Sequence, residues 1–277
     1  MRKLFTLPIL TILFAIVFYA ITIIFPGPGT QPEFAGPAAT IFSILLGFMV
    51  ANSQSRMNSI YERLKTENSN NLIIYRLSAA FGTSTQDKIR DLLDQYLMDQ
   101  IDYNIEEFEY SSYSFEKLYN YILQLDPTDN RQDKAIIKSL DILNLSTVNR
   151  GQIEAESKHR LSLGQWASIL ALMFVTIITV WTMSDGGWWG GAVLTALASA
   201  VVLMVLTMRD MNNLKWGNAS WTWQPLHKLF KDIGLVPYYT SAIINDHEAD
   251  IAKGELIRIG VVGRDGKKEI KTIHFGE

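Results

Sequence analysis

Cysteine is absent from all 277 residues. That excludes disulfides, thiolate nucleophiles and Cys-based zinc sites, while assigning no compartment. Histidine is scarce: there are four, His159, His227, His247 and His274, and no two stand at a metal-ligand spacing. The best metal candidate, Asp246-His247-Glu248-Ala249-Asp250, reads more simply as a solvated loop. No dinucleotide fingerprint, phosphate-cradling loop or nucleophile elbow occurs, so neither an enzyme nor a cofactor is expected. The net charge is only −3, with no acidic or basic tail, and nucleic acid is not an expected partner.

A more telling lack is that of charge within four apolar blocks. Leu4 to Phe25, Ala35 to Ala51, Leu161 to Met183 and Gly187 to Met208 contain no Asp, Glu, Lys, Arg or His. A bilayer core about 30 Å thick needs roughly 20 apolar residues at about 1.5 Å rise each. Lipid-exposed backbone must satisfy its own hydrogen bonds, so these blocks are expected to be helices. The expected fold is an all-α membrane protein with four transmembrane helices. A cytoplasmic helical insert separates spans two and three, and a small β-hairpin lies at the C-terminus. The boundaries read as 1–54 for the first two spans, 55–160 for the insert, 161–212 for the last two spans and 213–277 for the C-terminal segment. Arg2 and Lys3 before an apolar run also fit a signal peptide, but the run is long and no small-x-small site follows, so an uncleaved span is the preferred reading.

Basic residues orient the chain. Arg2 and Lys3, then Arg56, Arg63 and Lys65, then Lys158 and Arg160, then Arg209 and Lys215 all fall on one side of the spans. The connection Pro26 to Phe34 holds one acid, Glu33, and Ser184 to Gly186 carries only Asp185, beside the interfacial Trp188 and Trp189. Both termini and the insert are therefore expected in the cytoplasm, and both short connections outside.

In the insert, Ile89, Leu92, Leu93, Tyr96, Leu97, Ile101, Ile105 and Phe108 recur at helical spacing. Ser84 and Asp87 read as a capping pair at its start. A second helix is expected near Ser114 and a third from Asn130, its face carrying Ile136, Ile137, Leu140 and Leu143. Arg56 to Leu77 holds no breaker, so the second span is expected to continue into the cytoplasm. Ser146 to Arg160 is expected to feed the third span as one long helix. Residues 55–160 carry 13 basic against 17 acidic side chains. Asp94, Asp99, Asp102, Glu106, Glu107 and Glu109 concentrate the excess. They read as a solvated helix face or, if copies surround an axis, as a cation-attracting vestibule ring of Asp99, Asp102, Glu106 and Glu109. Trp216, Trp221 and Trp223, with Lys215 and His227, fit a segment at the membrane surface. Glu255 to Val262 and Lys267 to Phe275, flanking Gly263-Arg264-Asp265-Gly266, read as the hairpin. It is expected to pack on the insert or on a neighbouring subunit.

The uncharged spans count against a proton-coupled transporter, which needs ionisable groups in the membrane. Neither broken-helix pairs nor inverted repeats occur. One copy of four spans hardly encloses a pathway, so conduction would require an oligomer. Within the second span, Thr40, Ile44, Phe48 and Asn52 stand four apart on one face, with Gln54, Ser55 and Arg56 below. A row passing from apolar to polar suits a wet axis with a hydrophobic constriction. On spacing alone, plain helix packing through Ser43 and Gly47 is the preferred reading.

Leu46-Gly47-Phe48-Met49-Val50, then Ser55-Arg56 and Tyr61-Glu62-Arg63, resembles the second helix of bestrophins. Lys65-Thr66-Glu67-Asn68, a helical insert, and the stretch from Asn149-Arg150 to Gln165-Trp166 resemble the bacterial and plant bestrophin-like membrane proteins. The resemblance covers about a third of the chain. It implies a pentameric homo-oligomer surrounded by lipid that conducts inorganic ions through a pore lined by second helices. Thr40, Ile44 and Phe48 would form the neck, and Asn52, Ser55 and Arg56 the cytoplasmic exit. Met57 and Asn58 stand where bestrophins usually have aromatics, and no acidic calcium clasp is present. A non-conducting scaffold or signalling subunit, whose insert binds a partner, is the alternative from another class, and a small-solute transporter is a third.

Overall fold

The computed structural model describes residues 6–30, 35–103, 105–214, 220–245, 251–262 and 268–276. It is mostly helical, 78 %, with a small C-terminal sheet. The helices are α1 (Thr6–Ile24), α2 (Ala35–Ser78), α3 (Thr83–Asp102), α4 (Ser112–Leu123), α5 (Asn130–Lys158), α6 (Leu163–Thr182), α7 (Trp188–Asn212), α8 (Ser220–Asp232) and α9 (Ser241–Asn245). The strands are β1 (Tyr238–Thr240), β2 (Leu256–Val262) and β3 (Lys268–His274). Two compact units result, one from Met1–Met57 with Arg160–Gly217, the other from Asn58–His159 with Asn218–Glu277.

The first unit is built from largely apolar helices, with Arg56, Arg209 and Asp210 near one end. Leu163–Thr182 and Trp188–Asn212 are long and apolar enough to cross a membrane, and Pro8–Ile24 is a shorter apolar helix. Phe18, Val180, Leu194 and Ala198 form one small core; Phe42, Leu46, Met49, Ile169, Val205 and Met208 form another. α1 lies so close to α7 that a Cβ on Gly191 would sit 3.1 Å from Thr22 Oγ1, the small-residue contact that lets apolar helices approach. The connections after α1 and α6 meet at one end. Trp181 Nε1 donates to Phe25 O at 2.9 Å, Thr30 N to Thr182 O at 3.2 Å and Ser184 Oγ to Thr22 O at 3.1 Å.

The second unit has a conventional apolar core. Ile89, Leu93, Tyr96, Leu97 and Ile101 of α3 are buried with Leu118 and Ile122 of α4, Ile142 and Leu143 of α5, Phe230 of α8, and Tyr238 and Ile257 of the sheet. β1 pairs parallel with β2, and β2 pairs antiparallel with β3. Gly260, paired with Thr240, leaves room for the Tyr238 ring, because a Cβ there would come 2.8 Å from Tyr238 Cζ.

Several local expectations change. α3 is not capped by Ser84 and Asp87: Gly82, at φ 88°, precedes a helix starting at Thr83, with no side-chain cap. A 3₁₀ segment, Ile105–Ser111, leads into α4, which begins at Ser112. Ile137 is exposed, and the buried face of α5 runs instead through Ala135, Ser139, Ile142, Leu143 and Ser146. α5 does not continue into α6. It ends at Lys158, and a capping box between Ser162 and Gln165 starts a new helix, because reciprocal capping satisfies amides that a continuous helix would bond internally. The two strands expected at the C-terminus pair antiparallel, and β1 adds a third strand to the edge of β2. Asp246 to Asp250, Trp216 and the turn Gly263 to Gly266 lie outside the described residues, as do the side chains of Trp221, Trp223 and Glu106.

Candidate functional site

α2 is a single helix of 44 residues, about 66 Å at the usual rise. In its first part, Phe42, Leu46, Met49, Ser53 and Met57 follow helical spacing and are buried. The opposite side carries Thr40, Ile44, Phe48, Asn52 and Ser55, all exposed; Ile44 is 55 % and Phe48 73 % accessible. Side chains four apart share a face, so α2 packs one face within its unit and leaves the other uncovered among the described residues. The Thr40 hydroxyl donates to its own helix at Gly36 O, 2.9 Å, and Ser43 does likewise to Ala39 O, 2.8 Å. Gly47 borders open space. The contact through Ser43 and Gly47 is thus not made among the described residues of one subunit.

Arg56 stands apart from the row above it. It is half-buried, and its guanidinium donates to Asn212 O at 2.6 Å and Met211 O at 3.5 Å. A cation at a helix C-terminus satisfies orphan carbonyls and the dipole together. Asn212 also accepts from Leu161 N at 3.0 Å, so residues next to α6 and α7 are tied to α2 at this level.

The acidic set is largely engaged inside the fold. Asp99 accepts from Gln95 at 2.9 Å and from Ser114. Asp102 accepts from Tyr238 Oη at 2.7 Å and pairs with Lys268. Glu109 pairs with Lys158 at 2.6 Å, which holds its carboxyl below the usual range and raises the Lys158 ammonium. Asp94 forms a two-point pair with Arg258, 2.5 and 2.6 Å. Much of the acidic run is therefore the surface on which the C-terminal sheet and α5 are seated.

The sequence singled out Glu67-Asn68 and Asn149-Arg150 only as stretches of resemblance. The structure brings them together. Glu67, 1 % exposed, lies 3.3 Å from Arg150, which is also buried. Tyr96 Oη donates to Glu67 and Gln100 Nε2 donates to it at 3.2 Å, while Arg150 Nη2 donates to Ser111 and Ser112 at 3.0 and 3.1 Å. The rings of Phe108, Phe115 and Tyr96 surround the guanidinium at 4.6, 4.9 and 5.1 Å, a cation–π setting in which the Arg fork supplies directed donors that a Lys ammonium lacks. Burial pushes the Glu67 carboxyl up against the pull of Arg150, and pushes the Tyr96 phenol well up, so Tyr96 stays a donor. A cavity of about 280 Å³ opens over Arg150, walled by Phe108, Ser112, Phe115, Gly151 and Glu154. The signal for this centre was present in the pattern. Ile60, Leu64, Glu67, Asn71 and Ile74 share one helical stripe, and so do Ser146, Arg150, Ile153 and Ser157. A charge on an otherwise buried stripe calls for a partner of opposite sign on another stripe.

No curated protein and no solved structure matches this chain. A family model described as Bestrophin-like domain matches residues 27–214, from the connection after α1 to the end of α7, which is more than half of the chain and includes α2 and both members of the buried pair. The chain belongs to the Bestrophin-like family.

Proposed function

We propose that this protein is an oligomeric, pentameric ion channel of a bacterial inner membrane, and not an enzyme, with a pore lined by α2. Four helical segments span the bilayer: α1, residues 35–51 of α2, α6 and α7. Both termini and the second unit lie in the cytoplasm. Thr40, Ile44 and Phe48 form the constriction, and Asn52 and Ser55 continue the row toward the cytoplasmic exit, where Arg56 anchors the helix. The observation that carries this reading is the uncovered row on α2, apolar above and polar below, backed by a packed face on the same helix. Membership of a family that includes oligomeric, ion-conducting proteins supports it further. So do the large apolar side chains exposed on α1, α6 and α7, a surface suited to lipid. The meeting of the first and third connections at one end, with Arg56 near the other, agrees with the one-sided basic residues. Because Asp102 and Glu109 are paired with Lys268 and Lys158 within the subunit, their pull on ions along an axis is weakened.

An apolar neck conducts poorly when narrow because it sheds water. Replacing Ile44 and Phe48 together with Ala is expected to raise ion flux in proteoliposomes well above the unaltered protein. Equal flux would remove this pair from the constriction. The scaffold reading draws on Tyr110, Tyr113, Leu145 and Val148, exposed on the second unit and suited to a partner. It forecasts no flux from either protein.

A further inference from the structure

Between Ser59 and Asn70, α2 is tied to α5 by polar side chains. Ser59 Oγ donates to Glu156 Oε1 at 3.0 Å, and Arg63 lies 3.4 Å from the same oxygen and bonds Gln152. Asn149 Nδ2 donates to Arg63 O at 2.8 Å, and Asn70 Nδ2 to Ser146 Oγ at 3.0 Å. Glu67 and Arg150 sit in the middle of this series. Beside them, Glu67 Oε2, Asn68 Nδ2, both amide atoms of Asn71 and Gln100 Oε1 are buried without a protein partner among the described residues, and Asn71 is 0 % exposed.

Such a seam differs physically from the apolar core around Leu93 and Leu143. Polar links are exchanged for bonds to water with little net loss, and buried polar atoms without partners gain when water reaches them. An apolar contact, in contrast, loses the transfer free energy of all the surface it exposes. Ile60, Leu64 and Ile153 are buried along the same stripes, but the share of polar links makes the seam easier to open than the core around Leu93 and Leu143. What opposes parting is the buried pair, since an unmatched charge left behind is strongly unfavourable. Arg150 is itself held by two serines and three rings, so it forms the fixed half. Glu67 is the half that travels with α2.

We propose that the α2–α5 seam is a movable joint latched by Glu67 and Arg150, whose release repositions α2 and with it the row carrying Ile44 and Phe48. Only the second step rests on the channel reading. Because the natural chain lacks cysteine, Asn71→Cys in the full-length purified protein places a single buried thiol in the joint. Its modification by a water-soluble maleimide should run about tenfold faster or more with Glu67→Gln added, the scale set by losing one charged hydrogen bond. Arg150→Lys, which keeps the charge but loses the fork, serves as the second variant if Glu67→Gln does not fold. An unchanged rate in a folded variant overturns the joint, whether or not the protein conducts. In proteoliposomes, Glu67→Gln should raise flux about tenfold by the same argument. In a Ser59→Cys, Glu156→Cys background, a short bifunctional thiol reagent should return that flux to the natural level. Conduction by the natural protein that is unmoved by Glu67→Gln overturns the link to the row. Absence of conduction in every protein sinks the channel reading instead.

Discussion

Protonating His227 costs this fold stability. Its ring is buried in α8 against Tyr239, with centroids 4.0 Å apart, and Nε2 carries the hydrogen donated to Tyr238 O at 2.7 Å. Burial lowers its pKa to about 4, more than the carbonyl bond raises it. An unfolded histidine titrates near 6.5. Between those values the unfolded chain binds more protons than the folded one, so the contribution is intact above about pH 6.5 and is lost as pH falls toward about 4. The full loss is about 3 kcal/mol. Comparing the unfolding midpoint of natural and His227→Gln protein at pH 7 and pH 4.5 should show the natural protein losing more on acidification. Parallel losses would contradict a neutral, buried His227. The sequence could offer only a histidine beside three tryptophans, because burial depends on the residues that fold over it.

At the scale of elements, the C-terminal sheet depends on α3. Arg258 reaches from β2 to Asp94 with both side chains largely buried, and Lys268 reaches from β3 to Asp102. β3 is otherwise an exposed edge carrying Lys268 and Lys271, charges that discourage pairing with other strands. Arg258→Lys keeps the charge but loses the fork that matches a carboxylate. It should cost about 2 kcal/mol, the worth of a charged hydrogen bond, and should speed limited proteolysis between residues 251 and 276. Unchanged cleavage would show that apolar packing through Ile257 alone seats the sheet. Long periodic elements were legible in advance. The α3 stripe from Ile89 to Ile101 is buried as its spacing required, and the absence of a breaker after Arg56 foretold a helix reaching Ser78. Short elements were not legible. β1 has three residues, too few to alternate, and it exists because β2 offers Arg258, Ile259 and Gly260 as partners. The break after Lys158 was readable in principle from Ser162-x-x-Gln165, but the apolar run beyond it dominated the pattern.

For the whole molecule, the physical problem is surface that one copy leaves uncovered. Under the proposed reading lipid covers α1, α6 and α7, whose exposed side chains are almost all apolar. It does not suit the lower part of the α2 row, where Asn52 and Ser55 follow Phe48 on the same face. Under the proposed channel reading such a row lines a water-filled axis shared by several copies; what residues 40–56 made visible in advance is the row's change from apolar to polar side chains. The anchoring of Arg56 on α7 was not visible, since it joins residues more than 150 positions apart. Nor was the pairing of the acidic run, which depends on where the sheet folds back. A density map of the full-length protein in lipid nanodiscs is the most direct measurement. The account requires copies related by a rotation axis, with Thr40, Ile44 and Phe48 turned toward it. A map in which that row faces acyl chains, or is covered by another helix of its own subunit, contradicts it.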